Sequence, residues 1–461
     1  MTIEEILSLE RPADIIQELK NKTINVIPWS KLEKEYDKKK HPVYTDVSYQ
    51  DKVNEKTGQV VKQCRIALGL QKLAVKRIGE LCFGIPVKRI YKPNKDNENE
   101  QAAASIIEAI FQKNKIDSVN IERSKYLYAS CEFATIWYAQ KTNTDYAGYP
   151  SEYKLRCKTY SPMNGSEIYP LFDDYDDMIA LSIAYSRNTG ATKTSYFETF
   201  TANRHIRWVG KGSDWEIELD EVIKLNKITG IYQHRDEPIW EDESDNVYEM
   251  EWQLSREGNY LRKNLKPKWV VCTSEEIKFG KEDTSNNSDR DVLKYPEGTE
   301  AGYKTWDQAI ESLRFHIETL RQNFFAQLQL PEMSSDVMKS MPMSAESRKM
   351  IFIDAQLKVT DESGLWLDSF YREINVVKAF AKELYPALAP AIDSLVVKVV
   401  ITPYNIQDKK ELIAMYMDGT GGKPVYSQRT AIENIGDAES VEEELQRIAD
   451  ESIEQLGVPT M

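Results

Sequence analysis

The sequence predicts an α+β protein with a strand-rich middle, helical flanks and two long helices late in the chain. Residues from about 133 to 240 hold short runs rich in Tyr, Phe, Trp, Ile and Thr, separated by Gly, Asn and Asp turns, which suits strands of a mixed sheet. Two helical patterns, 243–264 and 303–330, bracket a small strand-bearing insertion. From Tyr303 to Tyr385 the chain reads helix, loop, long helix, with no cluster of residues that would build a pocket.

Taken in order, residues 2 to 20 carry Ile3, Ile6, Leu7, Ile15, Ile16 and Leu19, and Arg11-Pro12 divides them into two short helices. Residues 63 to 83 place Ile66, Leu70, Leu73, Ala74, Ile78 and Leu81 on one helical face, stopped at Gly84-Ile85-Pro86. Lys92 to Glu100 is a charged loop, and Ala102 to Lys113 restarts a helix. The strand-rich region follows, with Phe133 to Tyr138, Ile179 to Tyr185 and Tyr196 to Thr201 as its clearest runs. Val247, Met250, Leu254 and Leu261 then repeat at helical spacing, although Gly258 weakens that helix by about 1 kcal/mol relative to Ala. Lys268 to Thr273 reads as a strand, 282–289 as an exposed tip and 291–295 as the returning strand. Leu395 to Thr402 is a β segment, and the tail from Asp408 is helical, acidic and polar.

The helix before the loop carries Trp306, Ile310, Leu313, Ile317, Leu320, Phe324 and Leu328, a seam of mostly alternating four-and-three spacing. Taken alone, such a seam is that of an ordinary core helix. Arg314 and Arg321 flank it and are expected to pair with Glu311 and Glu318 along the helix, with His316 beside the stripe. The loop runs through Glu332, Met333, Ser334, Ser335 and Asp336, then Val337, Met338, Lys339, Ser340 and Met341, between Pro331 and Pro342. Flexible thioethers and small hydroxyls give a deformable, weakly adhesive surface, and Lys339 is its sole Lys or Arg. Unaided, a Met-rich loop of this kind suits packing or partner binding.

Composition narrows the function classes. A chain of 461 residues with 41% hydrophobic and 29% charged residues has the make-up of a globular protein, long enough for about two to four domains. No apolar run approaches the length of a bilayer span, and the acidic start Met-Thr-Ile-Glu-Glu-Ile lacks the basic n-region of a signal peptide. A cytosolic product is expected. The five cysteines, Cys64, Cys82, Cys131, Cys157 and Cys272, are scattered and odd in number, which fits buried reduced thiols better than a zinc site. His41, His205, His234 and His316 show no ligand spacing. A net charge of −14 argues against a surface that grips polyanions, yet a protein past which DNA slides needs few phosphate contacts, because each one adds affinity.

No phosphate-binding Gly-x-x-x-x-Gly-Lys-Ser/Thr loop, Gly-x-Ser-x-Gly elbow or His-Glu-x-x-His pair occurs. The best enzymatic candidate is the acidic run Asp173-Asp174-Tyr175-Asp176-Asp177, whose carboxylates suit a hard cation but lack an accompanying base or nucleophile. The rival reading of the chain is therefore a cytosolic nucleic-acid-processing enzyme with a carboxylate metal site at Asp173–Asp177. No cofactor is expected.

The order of elements, together with several phrases, resembles the tailed-bacteriophage portal proteins over about residues 60 to 455. Ile78-Gly-Glu-Leu-Cys-Phe-Gly-Ile-Pro-Val87 resembles that family's early helix and its Gly-x-Pro-Val ending. Tyr160-Ser-Pro-Met-Asn164 followed by Phe172-Asp-Asp-Tyr-Asp-Asp177 resembles its Ser-Pro and acidic-turn phrase. Pro424-Val-Tyr-Ser-Gln-Arg-Thr-Ala-Ile432, Asp437 and Glu442-Glu-Glu-Leu-Gln-Arg447 resemble its closing phrase. The family often has Gly near Glu132 and Glu237, where this chain has none.

The resemblance implies a portal-like α+β fold with mechanical parts. Residues 1–242 are an N-terminal segment and α/β wing, 243–264 and 303–330 the two stem helices, and 265–302 a small clip. Residues 331–344 are a tunnel loop, 345–404 a long helix and a strand returning to the wing, and 405–461 a helical crown or tail. It further implies a homo-oligomeric ring, a dodecamer in virions, at one capsid vertex, through which double-stranded DNA is packaged and ejected. The seam would pack stem helices within and between subunits, and residues 332–341 would face the DNA. Lys266, Lys268, Lys278 and Lys281 would dock the terminase large subunit and then a head-completion adaptor. Major capsid and scaffolding proteins are further implied partners, a membrane is not, and ATP hydrolysis falls to the terminase.

Overall fold

A computed structural model describes residues 2–22, 24–53, 58–94, 96–189, 192–212, 214–264, 268–272, 300–304, 310–332, 352–404, 409–421, 425–435 and 441–455. The N-terminal helices α1 (Ile3–Leu7) and α2 (Pro12–Leu19) separate where expected, and Pro12 opens the second at a position where its missing N–H costs nothing. Two short helices, α3 (Trp29–Tyr36) and α4 (Pro42–Thr45), and the two-residue strands β1 (Lys52–Val53) and β2 (Val60–Val61) lead to α5 (Leu70–Phe83).

Helix α5 begins at Leu70, later than the apolar periodicity from residue 63 suggests. The reason is tertiary. Residues 64–68 form a strap along α8 (Ser244–Asn264), where side chains claim the backbone donors a helix would need. Cys64 N donates to Asn259 Oδ1 at 2.6 Å, Ile66 N to Ser255 Oγ at 2.9 Å and Leu68 N to Glu251 Oε1 at 2.6 Å. Gly258 makes room for the strap, since a Cβ there would lie 2.5 Å from Cys64 Sγ. The glycine that weakens the helix locally is thus required by packing.

After β3 (Lys88–Lys92), α6 (Glu98–Lys113) starts at an Asn97 cap, and α7 (Ile116–Ser130) follows. Helix α7 carries almost no amphipathic signal because its inner face includes Asn120, Arg123 and Ser124, all buried. It ends at Cys131 in the left-handed region, φ 61°, so a cysteine occupies a turn of the kind that favours glycine.

The middle of the chain forms β4 (Glu132–Tyr146), β5 (Tyr149–Tyr160), β6 (Glu167–Phe172), β7 (Met178–Thr189), β8 (Thr192–Thr201), β9 (Arg204–Lys211), β10 (Asp214–Val222) and β11 (Gly230–His234). They make a three-stranded sheet ordered β11-β4-β5 and a five-stranded meander ordered β10-β9-β8-β7-β6. Every pairing is antiparallel, which corrects the expectation of a mixed sheet. Consecutive strands are joined by short turns, and parallel neighbours would need a long crossover.

Late in the chain come α8, β12 (Lys268–Cys272), β13 (Glu300–Lys304), α9 (Ile310–Gln327), α10 (Ile353–Leu384), α11 (Ala389–Ser394), β14 (Val396–Val400), α12 (Lys409–Thr420), α13 (Gln428–Ile435) and α14 (Val441–Gln455). The described partner of β12 is Glu300–Lys304; the expected tip at 282–289 and returning strand at 291–295 lie outside the described residues. Tyr303 and Lys304 consequently belong to a strand, and the helix expected from 303 starts at Ile310. Strand β14 pairs with β3, away from both larger sheets. No helix among the described residues is long and apolar enough to cross a membrane.

The main core joins α5, α6, α7 and α10 to β4. Trp366 of α10, fully buried, stacks on Phe133 at 5.7 Å between ring centroids and donates from Nε1 to Tyr128 Oη at 2.9 Å. A second cluster lies between the sheets, around Ile136, Tyr160, Leu181 and Tyr232. Gly230 permits this close approach, because a Cβ there would sit 2.4 Å from Leu181 and 2.7 Å from Ile136. A third cluster packs Ile6, Ile15, Ile16 and Leu19 of α1 and α2 onto Phe197, Ile206 and Trp208 of the five-stranded sheet.

Candidate functional site

Arg123 of α7 and Glu373 of α10, both almost fully buried, form a two-point ion pair. Trp137 Nε1 donates to the same carboxylate at 3.0 Å, and Arg123 also donates to Thr135 Oγ1 and Asn120 Oδ1. Every strong donor aimed at Glu373 is therefore matched, as a buried charge demands. The long helix is fixed to the sheet by charge as well as by apolar packing.

Helices α8 and α9 pack on each other, and α8 begins and α9 ends in the main core. In the chain the pair brackets β12 and β13. Along α9 the expected seam is covered unevenly. Phe324 and Leu328 are buried, whereas Leu313, Ile317 and Leu320 are half-buried. Ile310 is the first helical residue, and Trp306 lies outside the described residues. Phe315, which the seam does not include, is 71% exposed. The uncovered apolar surface thus concentrates on the N-terminal part of α9, before the end that enters the main core.

Of the two arginines on α9, Arg314 pairs with Glu318 at 2.7 Å, as helical spacing suggests. Arg321 instead reaches Glu332 at 2.9 Å, beyond the end of its own helix. This corrects the expectation that both pair along the helix, and it anchors Glu332 near the start of the candidate tunnel loop. The Arg77 guanidinium donates to the Pro331 carbonyl and so holds the same point from α5. His316 Nε2 faces Glu249 Oε1 of α8 at 3.8 Å.

Within the candidate loop Glu332 is half-buried. Met333, Ser334, Ser335, Asp336, Val337, Met338, Lys339, Ser340 and Met341 lie outside the described residues, as do Lys266, Lys278 and Lys281. Lys268 is the first residue of β12, opposite Lys304 in register.

The acidic run at 173–177 is a self-closing turn. Asp173 Oδ1 accepts from Tyr175 N and Asp177 N, each at 2.9 Å. Among the described residues no group of three or more His, Cys, Asp or Glu side chains converges as a metal site would require. Cys64, Cys82 and Cys131 are buried and Cys157 is half-buried, but Cys272 is exposed, which departs from the expectation of uniformly buried thiols. Burial pushes the Cys82 and Cys131 thiols up to about 12, so at neutral pH neither is a thiolate nucleophile.

Two groupings escaped the sequence reading. The Arg123–Glu373 pair joins residues far apart in the chain, and the buried Arg and Glu that form it look like ordinary surface charges in a helical pattern. A charged crevice between the sheets draws on four strands of the meander and two of the smaller sheet. Only strand register brings its residues together.

The family model described as phage portal protein, SPP1 Gp6-like, matches residues 19–457. No curated protein matches the chain. Among solved structures, a chain from the neck of an empty GTA particle computed with C6 symmetry aligns at 6% identity with a TM-score of 0.41. A chain from the virion of a native gene transfer agent particle aligns at 7% identity with a TM-score of 0.37. Each alignment covers 79% of this chain and 88% of the other. A family match over nearly the whole length, on a chain of α+β architecture, means that this protein belongs to the SPP1 Gp6-like family of phage portal proteins, a structural family of the head–tail connection.

Proposed function

We propose that the chain forms a homo-oligomeric ring, dodecameric in the particle, at one vertex of a phage capsid, and that double-stranded DNA enters and leaves through its axis. The single observation that carries this reading is the unequal cover of α9. One partner helix leaves Leu313, Ile317 and Leu320 half-open and Phe315 71% exposed. Burying apolar surface contributes about 25 cal/mol per Å2, so an incompletely covered helix pair is stabilised by neighbouring copies. Membership of a portal family supports a ring as the form in which those neighbours arrive.

In this reading α8 and α9 are the stem, and the region carrying β12 and β13 is the clip that meets the terminase large subunit and later a head-completion adaptor. Residues 332–341 form the loop nearest the DNA, held at its start by Arg321 and Arg77. The sheets and α10 form the wing, which contacts capsid and scaffolding proteins during assembly in the host cytoplasm. The chain supplies shape and leaves ATP hydrolysis to the terminase. Electron microscopy of purified protein tests the assembly: rings with an axial hole are expected, and a uniformly monomeric population contradicts it. Deleting Met333–Met341 tests the loop, with loss of full-length packaged DNA as the expected result and normal packaging as the contrary one.

A further inference from the structure

The two sheets part at one place to leave a crevice of about 500 Å3, between β4 and β5 on one side and β7 to β10 on the other, with Phe380 of α10 also lining it. Its wall has two characters. Ile136, Phe200, Leu219, Leu225 and Phe380 supply apolar surface, while Lys158, Arg187 and Arg207 bring three cations into the same space.

The carboxylates do not balance these cations evenly. Glu198 is committed: Tyr185 Oη donates to it at 2.6 Å, and the Arg207 guanidinium pairs with it and also reaches Glu218 at 3.5 Å. Glu221 lies opposite His205 in the strand register. Lys158 and Arg187 instead rest on aromatic rings. Lys158 Nζ is 4.5 Å from the Tyr160 centroid and 5.3 Å from that of Tyr185, and Arg187 Cζ is 5.1 Å from Tyr185 and 5.5 Å from Tyr196. Two cations therefore share one tyrosine. Burial first, and then the charge of Arg187, push the Lys158 ammonium below its ordinary value. His205 Nε2, buried in the same lining, lies 3.8 Å from Glu198 Oε2 and so adds to the cover of that carboxylate rather than to the pair of Lys158 and Arg187.

An arriving anion would relieve the repulsion between Lys158 and Arg187, and the neighbouring apolar wall selects what the anion is attached to. Phosphate alone leaves that wall uncovered. A volume of this size accepts a few side chains but not a nucleic-acid duplex. We propose that the crevice docks a peptide segment of a partner protein in which an acidic residue adjoins an apolar one. The carboxylate lies between Lys158 and Arg187, and the apolar side chain packs against Phe200 and Phe380. The site requires neither the ring nor the passage of DNA, so it stands apart from the functional reading above.

The test is selection from a displayed random-heptapeptide library on the intact immobilised protein, with the Lys158→Met/Arg187→Met double variant as counter-target. Peptides kept by the parent and lost by the variant should pair Asp or Glu with a large apolar neighbour. A labelled selected peptide should bind the variant about tenfold more weakly, the scale of a lost charge-assisted hydrogen bond. Acid-poor selected sequences, equal retention by both proteins, or displacement of the peptide by a short DNA duplex would each overturn the proposal. If the double variant loses its near-ultraviolet circular dichroism, Val222→Asp carries the test. Val222 is 81% exposed and lines the crevice, so the new carboxylate should weaken the peptide without disturbing the core, and undiminished binding overturns the docking site.

Discussion

Arg123 Nη2 lies 2.6 Å from Glu373 Oε1, with both side chains 2% exposed, and this contact ties the long helix α10 to α7 beneath the three-stranded sheet. Removing one partner leaves the other charge buried and unpaired. Glu373→Ala should therefore cost about 3–5 kcal/mol, while Arg123→Met with Glu373→Leu should recover most of that loss. Denaturant unfolding of the single and double variants measures the difference; equal destabilisation of both would show that packing, not charge matching, sets the cost.

A second tie holds the N-terminal segment to α8. His41 Nδ1 faces Glu251 Oε1 at 2.8 Å and its Nε2 donates to the Glu35 carbonyl at 2.8 Å, while the same Glu251 oxygen accepts from Leu68 N. One carboxylate of α8 thus serves both α4's entry and the 64–68 strap. Glu251→Ala should raise hydrogen exchange at Leu68 and its neighbours well before global unfolding, and unchanged protection there would remove the strap from the account.

Close approach at Gly258 gives a steric prediction. An added Cβ meets Cys64 Sγ at 2.5 Å, so Gly258→Ala should lower stability despite the better helix propensity of alanine. Pairing it with Cys64→Ser tests the cause poorly, because sulfur and oxygen differ little in reach; Cys64→Gly should restore most of the loss. Thermal unfolding of the three proteins reads the outcome.

Glu198 sets an acid limit. Burial alone would raise its carboxyl, but the nearby His205 ring, the Tyr185 hydroxyl and the Arg207 charge outweigh burial and hold it at about 2, below the ordinary 4.5. A depressed folded value means that the unfolded chain binds the proton more readily. The contribution is complete above about 4.5 and is lost as pH falls towards 2. The Glu198→Gln variant should be less stable than the parent at neutral pH and lose less stability on acidification. Parallel stability profiles would contradict this.

The legible parts of the fold were those with local signals. Arg11-Pro12 marks the break between α1 and α2, Gly84 with Pro86 marks the end of α5, and the aromatic runs mark the strands. The losses have physical causes. Ile66 and Leu68 continue the apolar period of α5, yet Ser255 and Glu251 take their backbone donors from across the molecule. Helix α7 hides because Asn120, Arg123 and Ser124 face inward, reversing the usual polarity of a helix. Arg321 left its helical partner because Glu318 was already used by Arg314, a competition that spacing alone does not rank. On α9, Ile317, Leu320, Phe324 and Leu328 of the expected seam pack in or against the main core, but their unequal cover is invisible in the pattern.

The most direct test of the account is the native mass of purified protein beside that of a Phe315→Ser variant. Phe315 is 71% exposed, so its replacement should leave the fold of the single chain intact. The parent should assemble into a closed ring of many copies, and the variant should shift towards smaller species with an unchanged circular dichroism spectrum. A parent that stays monomeric at assembly concentrations would contradict the claim that α8 and α9 are a stem built to be shared between subunits.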